Sequence, residues 1–135
     1  MKRHRLAVAL GVAVLPLIIL CMPACQGQKT PPQEHTNPQQ TITVKAGQPF
    51  AITLESNRTT GYQWELAQPL NGAILKLANS EYKAPATTRV GAGGEEVWTF
   101  QTVGKGKTEV LMKYARPWEK DVAPAKTQTF KVVVR

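Results

Sequence analysis

Two side chains that carry much of enzyme chemistry are missing from most of this 135-residue sequence. Histidine occurs only as His4 and His35 and cysteine only as Cys21 and Cys25, so the stretch from Thr41 to Arg135 contains neither. A Ser-His-Asp or Cys-His site needs an imidazole to accept the proton, and zinc needs nitrogen or sulfur ligands. Both are excluded there, and no metal or cofactor is expected. Carboxylates remain, but Glu95-Glu96 and Glu119-Asp121 read as strand-edge or loop residues with no second acid in a matching context. The chain is not expected to be an enzyme.

Long runs of one charge are also absent. The formal net charge is +8, and it falls to +5 if Lys2, Arg3 and Arg5 are removed, leaving 14 Lys and Arg against 9 Asp and Glu. The remaining cations stand singly among acids, which speaks for a solvated surface and against nucleic-acid binding. No apolar stripe of period 3.6 runs far enough to make a substantial helix.

One long uncharged run does exist, from Leu6 to Leu20, preceded by Lys2, Arg3, His4 and Arg5 in the layout of an export signal. Met22-Pro23-Ala24-Cys25 after it resembles a bacterial lipobox, which implies a signal over residues 1–24, acylation of Cys25 and anchoring to the cell envelope. Gln26 in place of an aspartate points to the outer membrane in a Gram-negative cell. The alternative is an uncleaved spanning helix, which Pro16 and Pro23 disfavour. With Cys21 discarded and Cys25 acylated, no disulfide is left. Residues 25–40, rich in proline and glutamine and poor in apolar side chains, read as a tether reaching about 40–45 Å if polyproline-like.

From Thr41 onward the pattern changes to short alternating runs. Ile42 and Val44 share a face, as do Phe50, Ile52 and Leu54; Tyr62, Trp64 and Leu66; and Leu75 and Leu77. Trp98 and Phe100, then Val110, Met112 and Tyr114, then Phe130, Val132 and Val134 continue the series. Alternation of period two, broken by turn residues every eight to twelve positions, predicts an all-β, immunoglobulin-like antiparallel sandwich of seven to eight strands over residues 41–135. Ala73 to Asn79 would also suit one or two helical turns. Tyr62 and Trp64 are expected inside.

Three connections are longer than the rest: Ser56 to Gly61, Lys83 to Gly94 and Ala115 to Ala125. In an up-and-down order alternate connections emerge at one end, so these three should form one surface. Asn57-Arg58-Thr59-Thr60-Gly61-Tyr62-Gln63-Trp64 resembles the Asn-Pro-Thr-Thr-Gly-Tyr-x-Trp segment of chagasin-type inhibitors of cysteine peptidases. Gly91-Ala92-Gly93-Gly94 is similar to their Gly-x-Gly-Gly loop, and Arg116-Pro117-Trp118 to their Arg-Pro-Trp. The resemblance spans essentially Thr41 to Arg135, and it departs from the family at Arg58, where proline is usual.

The resemblance implies a monomeric, reversible, non-covalent inhibitor whose loops enter the cleft of papain-family cysteine peptidases as a wedge. The residues implied in binding are Asn57, Arg58, Thr59, Thr60 and Gly61; Gly91, Gly93 and Gly94; and Arg116, Pro117 and Trp118. Arg116 would pair with a carboxylate of the peptidase or brace its own loop. Arg58 would leave the first loop less preset than proline does and add a charge near the cleft. A reading from another class keeps the same fold: an anchored assembly or adhesion module whose loops hold another protein or a glycan.

Overall fold

The computed structural model describes residues 31–135, and the signal run and Cys25 lie outside them. Eight strands are present: β1 (Gln33–His35), β2 (Ile42–Val44), β3 (Pro49–Ser56), β4 (Gln63–Leu66), β5 (Leu75–Lys83), β6 (Gly94–Thr102), β7 (Gly106–Ala115) and β8 (Lys126–Val134). One sheet has the order β1-β3-β6-β5 and the other β2-β8-β7-β4. Among the described residues no helix is long and apolar enough to cross a membrane.

The alternating side chains meet between the sheets. Phe50, Ile52 and Leu54 of β3 and Trp98 and Phe100 of β6 pack against Val110, Met112 and Tyr114 of β7 and Phe130, Val132 and Val134 of β8. Phe50 and Phe100, register partners on adjacent strands, stack at 5.4 Å between ring centroids. Eight of these eleven are less than 3% exposed, so the core is closed by packing without a disulfide.

The segment left open between strand and helix is strand: β5 begins at Leu75, immediately after a turn in which the Asn71 carbonyl accepts from Ile74 and Leu75. Its register against β6 shifts between Leu77 and Asn79. The extra residue, Ala78, exchanges the faces beyond it, so that Leu77 is level with Phe100 but Ser80 with Trp98.

Every strand runs opposite to the one before it in sequence, but spatial neighbours are not always consecutive. Where two strands of the same parity lie side by side they must pair parallel, and this happens twice, in β1–β3 and β2–β8. The sandwich is therefore antiparallel except at these two edges. Parity still places the connections: Ser56 is level with Gly94, Lys83 with Glu95, and Gln63 with Ala115. The three long loops leave the same end.

β1 was not expected. Gln33, Glu34 and His35 fall within residues 25–40, read from composition as tether, and they pair with Phe50, Ala51 and Ile52. Pairing there uses backbone groups along the free edge of β3, so it leaves no apolar alternation in the sequence. His35 also lays its ring edge-on to Phe50, 6.4 Å between centroids.

The buried Nε2 of His35 has no hydrogen-bond partner, and burial lowers its pKa from the ordinary 6.5. The docked strand thus favours the neutral ring, and the detached strand binds more protons. β1 pairing should be fully retained above pH 6.5 and weaken as the pH falls from 6.5 through the lowered value. Hydrogen exchange of the β1 amides at pH 7.5 and pH 5 should show this, and His35→Leu should remove the dependence.

Candidate functional site

The first loop is a single 3-10 turn, Arg58–Thr60, closed at both ends by its own sequence. Asn57 caps it: its Oδ1 accepts from the Thr59 amide at 3.2 Å and from Thr59 Oγ1 at 2.6 Å. Thr60 Oγ1 donates to the Asn57 carbonyl at 2.6 Å. Gly61 ends the turn at φ +80°, a left-handed conformation that costs any other L-residue about 1–2 kcal/mol. Both threonine hydroxyls are thus committed to Asn57, although Arg58, Thr59 and Thr60 are all exposed.

Asn57 also joins the loops. Its Nδ2 donates to the Gly91 carbonyl at 3.0 Å, and its own amide donates to the hydroxyl of Tyr114 at 2.8 Å. From the third loop, Arg116 Nε donates to the Thr60 carbonyl at 3.2 Å. The Arg116 guanidinium also pairs with Glu119 at 3.0 Å and lies over the Tyr62 ring at 4.5 Å. The Glu119 carboxylate raises the Arg116 pKa further. These contacts brace the third loop against the first.

Trp118 is 67% exposed, yet its indole rests on Gly61: a Cβ there would sit 2.5 Å from Trp118 Cη2. Gly61→Ala should therefore push the indole aside and strain the left-handed turn, costing about 1–2 kcal/mol of stability in urea unfolding. Tryptophan fluorescence should shift with it.

The glycines of the second loop divide. Gly91 (φ +79°) and Gly93 are exposed, with Gly93 lying alongside Ser56 and Asn57. Gly94 is buried against the Lys83 carbonyl and the Tyr82 ring, leaving no room for a side chain. Gly94 therefore acts through packing and offers no surface to a partner.

A residue discounted from sequence underlies the site. Glu96 was read as a strand-edge acid, but β6 lies between β3 and β5, and Glu96 is 3% exposed. Its carboxylate accepts from Ser56 Oγ at 2.6 Å and from the Trp64 amide at 3.4 Å. Arg58 Nε stands 3.7 Å away, with its guanidinium 4.7 Å from the Tyr82 ring centre. Arg58 is thus tied back onto the fold rather than left loose in place of proline. The clue was parity: Glu96 shares a face with Trp98 and Phe100. Tyr62 is half-buried and Trp64 4% exposed, with Trp64 Nε1 donating to the Glu55 carbonyl.

Below the loops a recess of about 430 Å³ is lined in part by Ser56, Asn57, Thr60, Gly93, Tyr114 and Lys126. It holds no histidine or cysteine, and the hydroxyls of Ser56 and Thr60 already donate to Glu96 and Asn57. Among the described residues no cluster of acids, histidines or cysteines could hold a metal ion. The end of the sandwich presents three loops outward, joined by bonds from Asn57 to Gly91 and from Arg116 to Thr60.

Comparison with known proteins agrees with this geometry. Chagasin of Trypanosoma cruzi is 33% identical over 82 residues, which span 58% of this chain and 74% of chagasin. Amoebiasin-2 of Entamoeba histolytica is 26% identical over 95 residues, 70% of this chain and 77% of that protein. The crystal structure of EhICP2, a cysteine protease inhibitor from Entamoeba histolytica, superposes with a TM-score of 0.65 at 25% identity, covering 76% of this chain and 95% of its own. PbICP-C, solved in complex with falcipain-2, shares the fold at a TM-score of 0.55 and 18% identity over 77% of this chain and 91% of its own. The chagasin family of peptidase inhibitors, I42, matches residues 43–134, and the chain belongs to that family.

Proposed function

We propose that the three loops act together as a wedge that enters the active-site cleft of papain-like cysteine peptidases and blocks it reversibly, without covalent chemistry, as a monomer. The observation that carries this is the cross-linking of the loop end: Asn57 bonded to Gly91, Arg116 to Thr60, and Trp118 seated on Gly61. A prearranged surface loses little conformational entropy on binding, and an exposed tryptophan held in place is a strong anchor. The threonines bring little desolvation cost, because their hydroxyls are already satisfied. Arg58–Thr60 is coiled in a 3-10 turn rather than extended, so no strand-like peptide is offered for cleavage.

Residues 26–135 should inhibit papain in a fluorogenic assay and emerge uncleaved after long incubation. Unchanged papain activity at micromolar concentration of the chain would overturn the reading and favour an adhesion or assembly role for the same loops.

The placement we propose is the cell envelope, with a lipid on Cys25 as the first residue of the mature chain. The basic start, the run from Leu6 to Leu20 and Met22-Pro23-Ala24-Cys25 support it. Mass spectrometry of the N-terminal peptide from membranes should find acylated Cys25, and an unmodified or uncleaved terminus would refute the anchor.

A further inference from the structure

The surplus positive charge of the folded part sits at one end. Lys45 follows β2, Lys76 lies near the start of β5, Lys105 and Lys107 flank the start of β7, and Arg135 follows β8. All five are exposed, and none forms an ion pair among the described residues. The segments that build this end, residues 35–54, 66–80 and 97–108, contain no Asp or Glu, and the nearby acid on β1, Glu34, level with Ala51, is paired with Lys83 at 3.9 Å. The next acid along β7, Glu109, lies opposite Lys131. Acids gather instead toward the three loops, in Glu55, Glu95, Glu96, Glu119 and Asp121.

The basic end is also firmly built. Backbone bonds of 2.9 Å join Ala46 to Arg135 and Arg135 to Val44. Buried Thr102 donates its hydroxyl toward the Lys45 and Gln48 carbonyls at 3.0 and 2.7 Å. Lys45 and Arg135 are therefore displayed from backbone that these bonds hold in place.

The direction of β1 gives this end a partner. Because β1 runs parallel to β3 with Gln33 level with Phe50, the chain leading from Cys25 joins the fold at the basic end, opposite the three loops. Eight residue steps separate Cys25 from Gln33, so covalent geometry limits the span to roughly 28 Å. That is well below the 40–45 Å that a tether reaching residue 40 would allow.

We propose that the end formed by Lys45, Lys76, Lys105, Lys107 and Arg135 docks on an anionic phospholipid bilayer and so points the three loops away from the membrane. This orientation rests on the anchor at Cys25 proposed above. Charges within about 8 Å of an anionic surface feel its potential at physiological salt, so each Lys or Arg there strengthens adsorption. The short connection keeps the basic end near that layer, and the loops remain free for a peptidase.

The test uses residues 26–135, which carry both sheets and the whole core, with sucrose-loaded vesicles of phosphatidylcholine containing about one-third phosphatidylglycerol at physiological salt. The chain should sediment with these vesicles and not with phosphatidylcholine alone. Lys105→Glu with Lys107→Glu should lower partitioning at least about tenfold, whereas Arg89→Glu with Lys120→Glu, an equal change in net charge at the loop end, should lower it less than about threefold. Equal losses from the two pairs, or no preference for phosphatidylglycerol, would overturn the proposal. The Lys105/Lys107 variant should inhibit papain as the parent does. Because the assay uses unlipidated chain, its failure is distinct from a failure to find acylated Cys25.

Discussion

Trp118→Ala is expected to raise the inhibition constant against papain by about 30- to 150-fold, equivalent to roughly 2–3 kcal/mol, with most of the change in the dissociation rate. The indole is 67% exposed and lies against Gly61, so its stability cost should stay within about 1 kcal/mol. The exposed face is then available to a partner, and the contact with Gly61 spares much of the cost of fixing the side chain on binding. Stopped-flow or surface-based kinetics beside a urea curve separate the two quantities. A variant that unfolds readily would mean the tryptophan is structural, and one that inhibits normally would remove it from the wedge.

Glu96→Ala should have the largest effect on the fold, a loss of about 3 kcal/mol and on the order of 10–20 °C in Tm. The truncation leaves the Ser56 hydroxyl and the Trp64 amide buried without their acceptor and frees Arg58 from its anion. Because Arg58 begins the 3-10 turn, inhibition should weaken as well, through the setting of the loop rather than through a contact with the peptidase. Glu96→Gln keeps the shape and one acceptor, so it should cost less than half as much. A loss below about 1 kcal/mol in Glu96→Ala would show that water takes over both donors.

These two variants separate a contact from its support, and the same division runs through the loop residues. Thr59, Thr60, Gly91, Gly93, Pro117 and Trp118 face outward. Asn57, Gly61, Gly94 and Arg116 hold them in place through capping, close packing and the bond to Thr60. Residue type alone did not reveal which was which. Arg116-Pro117-Trp118 is one short run, yet its first side chain turns inward to Tyr62 and Glu119 while its third projects.

What the sequence determined by itself was whatever depends on residue type and parity. Lack of histidine and cysteine after His35 removed nucleophilic and zinc chemistry, alternation from Ile42 to Val134 set an all-β sandwich, and strand parity put the three loops at one end. The tertiary structure decided which strands are neighbours, because parity gives a direction and not a partner. Backbone pairing turned Gln33–His35 into an edge strand, made two pairs parallel, and brought the chain in at the basic end. It also brought Glu96 to Ser56, forty residues away, and Arg116 to Thr60, fifty-six away. Contacts of that separation follow from register across sheets, which local composition does not encode.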